Sequence, residues 1–488
     1  MNMIQLRLAF TRSVRNTALC AAVALASAAV RLAAADPMSD TFQPDVFRTR
    51  EALKQRTPGL EDPFGHMCHI AAEPLRLPAA VDIALCRNPA TRSAWAAAHQ
   101  QAAALGSAES AWLPTISASD SETRTHGPHV DATGAEVTSA QNTNDAAASL
   151  SWTLYDFGAR GGRIHSARAL LDAAAATADR TVQQTVFNVV QSFYGVVAGD
   201  AALVAAKSAE NAAARSVDIT KALHEGGAAA LGDVLQAETA YDQAVLARVQ
   251  AEQADKSAIA ALAVTLGFAA GQPLKLASEP VPANVQALTA RMEDLMAEAM
   301  RQRPDLAAAL AQRDAAVADV TVARAAGRPS ISVSAGRTRI DTTGVPLQNY
   351  NQIGVTVTVP IFSGFNVGYG VRQAQGALEA REVNAEQIRL NVSQDVWNGY
   401  YGLESANQQL GATATLVKTA LLNQEVAVGR YQAGVGTILD LLTAQTAAAT
   451  AQQTRIAAEY NWEVMRASLV LALGRLTGAE PLSGNAVP

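Results

Sequence analysis

At 488 residues the chain is too long for one ordinary globular core, yet aromatics make up only 5% of it. Its formal net charge of −6 argues against nucleic acid as a partner. Alanine-rich, glutamine-rich sequence with sparse proline favours long helices over a conventional aromatic core. No run of 18 or more strongly apolar residues lies beyond the N-terminus, so no membrane-spanning helix is expected and any passage through a bilayer falls to strands.

Residues 1–35 read as a signal peptide. Arg7, Arg12 and Arg15 supply a basic start, Thr17 to Val30 an apolar stretch, and Ala33-Ala34-Ala35 the small residues of a cleavage site. Leu19 before Cys20, and the apolar run after it, argue against lipid attachment at that cysteine. Losing the four arginines of this segment takes the net charge from −6 to −10. Residues 36–76 form an N-terminal periplasmic segment that holds Cys68. With Cys86 it makes an even pair for an oxidising compartment, and a bridge between them is expected to contribute about 3 kcal/mol. His66-Met67-Cys68-His69 places three metal-ligating side chains too close together to reach one ion, so no metal or cofactor is expected.

The rest of the chain is written twice. Asn88-Pro89 answers Arg303-Pro304, and Trp112-Leu113-Pro114 answers Gly327-Arg328-Pro329, both offset by 215 positions. Tyr194-Gly195 answers Tyr401-Gly402, Gly227 answers Gly434, Asp233 answers Asp440, and Leu266-Gly267 answers Leu473-Gly474, all offset by 207. The two repeats span 77–280 and 281–480, with a tail at 481–488, and the first carries eight extra residues between Pro114 and Tyr194. Each repeat predicts a short helix, a proline-started helix to Trp112 or Ala326, and a strand pair. A helical stretch of roughly 90–100 Å follows, from about Arg160 to His224 or Val371 to Tyr431. Gly226-Gly227 and Gly434-Val435-Gly436 turn the chain into a return helix that climbs to Gly267 or Gly474. Such long helices of small residues bury narrow seams and need neighbours along their whole length.

Four strands are expected, at about 114–124, 146–157, 330–340 and 351–362. Leu150, Trp152 and Leu154 alternate with Ser149, Ser151 and Thr153; Ile353, Val355, Val357 and Val359 alternate with Gly354, Thr356 and Thr358. Apolar-out, small-polar-in alternation is the pattern of an outer-membrane barrel, and also of a half-buried soluble sheet. Trp112, Trp152, Tyr155, Phe157, Phe362 and Phe365 at the strand–helix junctions favour the membrane, where they would form an interfacial girdle. The segments 120–146 and 341–351, rich in Thr, Asp, Asn and Gly, read as external loops. Four strands cannot close a membrane barrel, so several copies must pool theirs.

No His-Glu-x-x-His, Gly-x-Ser-x-Gly or phosphate-cradling Gly-x-x-x-x-Gly-Lys occurs. Asp156-Phe157-Gly158 lacks the lysine strand and His-Arg-Asp loop of a kinase, so no enzyme is expected.

The tandem copies, Ala-Leu-x-x-Asn-Pro, the Leu-Pro before a strand pair, Leu-Tyr-Asp-Phe-Gly and Tyr-Gln-Ala-Gly-Val-Gly-Thr-Ile-Leu-Asp-Leu-Leu resemble the TolC family over about residues 75–480. Cys68 and Ala84-Leu85-Cys86-Arg87-Asn88-Pro89 look like the branch containing the cyclolysin secretion protein. The resemblance implies a mixed membrane protein: a homotrimer with a 12-strand transmembrane β-barrel, four strands per chain, continued by a long periplasmic α-helical barrel. It implies the outer-membrane channel of a tripartite export system, partnered by a periplasmic adaptor and an inner-membrane ABC or RND transporter. Type I toxin secretion is the expected cargo route. A small-molecule efflux duct of an RND-type pump is the alternative, and a soluble periplasmic coiled-coil adaptor a distant one.

The same resemblance places a periplasmic gate at Asp233, Tyr431 and Asp440. Gly436 stands where the family has a basic link, and Thr443 where it has a second acidic residue, so the latch is expected to be weaker and less acidic. Thr437-x-x-Asp440 also reads as a helix-capping box, which leaves Asp440 both roles. Ala230 stands where the matching cap of Asp233 would be, leaving only the helix dipole as a structural reason for that carboxylate.

Overall fold

The computed structural model describes residues 45, 48–56, 74–130, 133–277 and 291–476. Two compact units divide between Thr49 and Arg50, and the second carries the architecture. In chain order the elements are α1 (Thr49–Arg56), α2 (Leu77–Arg87), α3 (Pro89–Ser110), β1 (Thr115–Val130), β2 (Glu136–Tyr155), α4 (Ala159–Glu225) and α5 (Leu231–Thr265). The second copy supplies α6 (Met292–Gln302), α7 (Pro304–Ala325), β3 (Ser330–Thr342), β4 (Gln348–Thr358), α8 (Asn366–Gln432) and α9 (Ile438–Ala472).

The duplication is a property of the fold. Matching helices have equal lengths: 22 residues in α3 and α7, 67 in α4 and α8, 35 in α5 and α9. Both proline-started helices begin where expected. The Asn88 side chain caps α3 by accepting the Ala90 N–H at 2.8 Å and donates to the Thr265 carbonyl at 2.8 Å. The return helices end on left-handed Gly267 and Gly474, whose Cα atoms lie so near the carbonyls of Arg87 and Gln302 that an added Cβ would meet them at 2.9 and 2.8 Å.

Small side chains let these helices approach closely, and larger ones fill the seams. Val186, Val189, Val190 and Phe193 of α4 are fully buried with Leu262 and Leu266 near the end of α5. A second cluster joins Val392, Val396 and Leu403 of α8 to Trp462 and Leu469 of α9. Each large side chain buried in this way contributes about 1.5–3 kcal/mol. One stretch of α4 is apolar enough to pass as a membrane span, with mean hydropathy 1.5, contrary to the sequence reading. The helix is 67 residues long, and those valines and Phe193 serve its packing against α2 and α5.

All four strands form one antiparallel sheet in the order β1-β2-β3-β4. The segment 120–146 is largely strand, not loop: β1 and β2 stay paired from Thr115–Ser151 out to Val130–Glu136. Its Thr, Ser and Asn side chains fit a solvated pleat, and the hairpin accommodates the eight extra residues. The 341–351 loop contracts to the turn between Thr342 and Gln348. β4 ends at Thr358, before the expected 362, because Pro360 has no N–H to give a ladder; Val359 lies just outside it. Cys86 is disulfide-bonded, while Cys68, its expected partner, lies outside the described residues.

Candidate channel gate and membrane face

Both helical hairpins turn at the same end of the protein. Val217 and Ala237 of the first hairpin pack with Tyr431, Ile438 and Leu441 of the second, and Gln445 Nε2 donates to Ser216 Oγ at 2.7 Å between them. The turns share one construction. Gly227 and Gly434 are left-handed (φ 77° and 72°), and the following N–H groups reach back to the helix end, Ala228 to the Leu223 carbonyl and Val435 to that of Arg430. These bonds satisfy carbonyls that the helix leaves open, and glycine alone adopts the required φ without strain. Gly226 and Gly436 are not left-handed. A Cβ on Gly436 would meet Arg430 and Tyr431 backbone or Cβ atoms at 3.2 Å, which disfavours any larger residue there.

Asp440 closes a full capping box. Its N–H donates to Thr437 Oγ1 at 3.1 Å and its carboxylate accepts the Thr437 N–H at 3.2 Å. The Thr437 side chain, then its backbone, hold the Asp440 carboxyl below the usual range. Asp233 departs from the sequence reading, because its carboxylate accepts the Ala230 N–H at 3.3 Å. That is half a capping box, with no oxygen on Ala230 to return the bond. Tyr431 is buried, and its hydroxyl has no hydrogen-bond partner among the described residues; it packs the base of the turn, and Asp440 is exposed.

At the other end, the sheet of this chain leaves its apolar rows bare. Ile353 is 82% exposed, Val355 67% and Val357 60%; Trp152, Leu154 and Val359 are exposed and Leu150 half-buried. Register aligns them: Val333 lies between Trp152 and Val355, and Ala335 between Leu150 and Ile353. A bulge between Thr153 and Tyr155 leaves Leu154 outside the ladder. Below the strands, Phe157-Gly158 and Gly364-Phe365 each form a two-residue left-handed step into the long helix.

Two arginines escaped sequence reasoning. Arg160, buried at the junction, donates to the carbonyls of Thr153 at 2.6 Å and Leu154 at 3.0 Å and lies over the Trp112 ring at 4.2 Å. Its ion pair with Asp156, four residues earlier, was the available signal. Arg303, also buried, bonds Asp305 at 2.5 and 2.9 Å and Asp395 at 2.9 Å. Burial works to lower its pKa, but these carboxylates prevail and raise it. Nothing local announces the Asp395 contact, which spans 92 residues of sequence.

The outer membrane efflux protein family matches residues 80–268 and 295–475, one stretch in each half of the duplicated chain. The chain is 30% identical to Protein CyaE of Bordetella pertussis over 416 residues, 84% of this chain and 86% of that one. It is 25% identical to outer membrane protein TolC of Escherichia coli over 63% of this chain and 64% of that one. The solved outer-membrane channel OprN shares the fold at TM-score 0.73 and 22% identity, covering 82% of this chain and 89% of that one. With its duplicated hairpins, four-stranded sheet and helical extension, this chain belongs to the outer membrane efflux protein family and is a TolC-like outer-membrane channel whose helices extend into the periplasm.

Proposed function

We propose that three copies close into one duct that carries cargo from an inner-membrane transporter and its periplasmic adaptor to the outside. The observation that carries this reading is an open edge beside bare apolar rows. β1 and β4 are the edge strands of the sheet, each paired on one side only among the described residues, and Ile353, Val355 and Val357 of β4 are exposed. Backbone left unpaired in lipid is too costly, so β4 of each copy pairs with β1 of the next and the ring closes. Three copies supply twelve strands, and the apolar rows meet hydrocarbon.

Protein cargo on a type I route is favoured by the match to Protein CyaE across 84% of the chain and by the resemblance around Cys86. The family description, efflux, favours small molecules as the second reading. A deletion strain is expected to lose release of the protein cargo while keeping its drug susceptibility unchanged. Normal release with heightened susceptibility would decide for small-molecule efflux. Heat-resistant trimers in outer-membrane fractions are expected in either case, and a soluble monomer would sink both.

The tips close the duct in this reading. Asp233 and Asp440 from each copy form a negative constriction, and a narrow pore focuses their field on cations. Replacing both by Ala is expected to reduce cation preference in bilayer recordings and weaken block by multivalent cations. Asp440→Asn alone removes charge while keeping a hydrogen-bonding side chain near Thr437. If Asp440 only caps α9, its loss lowers stability and leaves selectivity alone. Unaltered selectivity in intact double-mutant trimers would remove both residues from the gate.

A further inference from the structure

The outward face of the sheet does not end with its apolar rows. Side chains alternate faces along a strand, and the register of β3 with both neighbours runs without a shift from Val333 to Arg339. Arg337 and Arg339 therefore project from the same face as Val333 and Ala335, toward the hairpin turns and away from the helices. Arg337 pairs across the strands with Ala148 and Asn351, and Arg339 with Ala146 and Asn349. Both arginines and both asparagines are exposed. Two guanidinium groups and two side-chain amides thus border a floor of alanines, which Ala118 continues on β1 opposite Ala148.

The order of charges along this face is informative. Beyond the apolar rows come the two arginines, and neither has a carboxylate partner among the described residues. Asp120 shares the row of Arg339 but lies two strands away, about 9–10 Å, where it accepts from the Asn144 amide at 3.0 Å. Glu122 and Asp341 occupy the next row outward, aligned with Asn144. From Val359 to Ile353 the apolar rows run about 20 Å along the strand, about 15 Å of height at the roughly 35–45° tilt of barrel strands. The Arg337 and Arg339 rows fall about 20–26 Å above Val359, at the top of the roughly 25 Å apolar band of an outer-membrane barrel. The arginines stand where that band gives way to headgroups. Since the helices are periplasmic, this is the boundary of the outer leaflet.

We propose that Arg337 and Arg339, with Asn349 and Asn351, bind the phosphorylated headgroup of an outer-leaflet glycolipid. A guanidinium fork matches two phosphate oxygens at once, the amides can donate to further oxygens, and the alanine floor leaves room for a sugar. The site rests on the reading that the rows of Val333, Trp152 and Val355 face hydrocarbon.

The test uses the purified full chain in detergent as its assembled oligomer, with bis-phosphorylated lipid A as probe and native mass spectrometry or fluorescence titration as readout. Wild type is expected to retain this probe and to bind dephosphorylated lipid A at least tenfold more weakly. Arg337→Gln with Arg339→Gln is expected to lower affinity for the phosphorylated probe at least tenfold. Asn349→Asp keeps both arginines, sets a carboxylate across from Arg339, and is expected to weaken binding in the same direction. Equal binding by wild type and the double variant, or of phosphorylated and dephosphorylated lipid A, would overturn the site. Phosphatidylglycerol or millimolar inorganic phosphate binding as well as lipid A would overturn the glycolipid assignment. Normal membrane assembly of Val355→Asp would instead show that the face itself had been read wrongly.

Discussion

Replacing Arg303 by Met is expected to destabilise the helical region by about 3 kcal/mol. The side chain is 3% exposed and contacts both Asp305 and Asp395, while Nη1 donates to the Ala472 carbonyl at 3.4 Å. It ties the start of α7 to α8 and to the end of α9. Breaking a buried ion pair by removing one partner typically costs 3–5 kcal/mol, because a charge is left without its counter-ion. The lower end applies here, since Asp395 is 46% exposed and water can reach it, and Arg180 lies 4.0 Å from Asp305. Adding Asp305→Asn to Arg303→Met is expected to restore at least half the loss by removing the orphaned charge. Urea unfolding of the oligomer followed by circular dichroism checks both; a single-mutant loss under about 0.5 kcal/mol, the scale of a surface pair, would mean the network is not stabilising.

The same network sets a pH dependence. Burial pushes the Asp305 carboxyl up, but Arg303 and Arg180 outweigh it and hold it below its ordinary value. A depressed folded pKa stabilises the fold above the unfolded value of about 3.9 and withdraws that stability as pH falls through the folded value. Asp179, on the neighbouring turn of α4, runs the other way, because burial raises it to about 6. Its contribution is complete below about pH 4 and is lost as pH rises through about 6. Asp179→Asn is therefore expected to flatten stability between those values and leave the acid limb, to which Asp305 contributes, in place.

What the sequence disclosed was what short range or repetition could encode. The two offsets, 215 and 207, locate every matched pair of helices, because prolines at helix starts and left-handed glycines at turns are local necessities. Thr437-x-x-Asp440 became the capping box it spelled. Asp233 was read too strictly, since its carboxylate needs only the Ala230 N–H and not a hydroxyl. The first hairpin was read too short because Thr, Asn and Ser at 120–146 suit a solvated strand as well as a loop. Arg303 was invisible for a different reason. Its counterpart in the first copy is Asn88, which makes the matching bond to Thr265 without any charge. Of the two carboxylates that hold Arg303, Asp305 is two residues away but Asp395 comes from α8, 92 residues on.

Membrane assembly is where a single side chain should matter most. Val355→Asp and Val357→Asp are expected to prevent or strongly reduce recovery of assembled channel from outer-membrane fractions. Both valines stand in the row that includes Ile353, with Val355 paired to Val333 and Val357 to Ile331. A basic residue on the lipid face costs roughly 2–4 kcal/mol at mid-bilayer and an acidic one somewhat less. In the proposed three-copy barrel that penalty applies three times before any lumenal contact is disturbed. Thr356→Asp is the control, because Thr356 pairs with Ser332 on the opposite face, which in the proposed barrel lines a water-filled bore where a carboxylate stays hydrated. It should assemble as wild type, with only its conductance altered. The helical tips lie at the other end of the chain from this site, so any oligomer recovered from either valine variant in detergent should keep the cation preference proposed for them. Equal loss from all three substitutions would place the sheet in the wrong solvent, and loss from Thr356→Asp alone would reverse its faces.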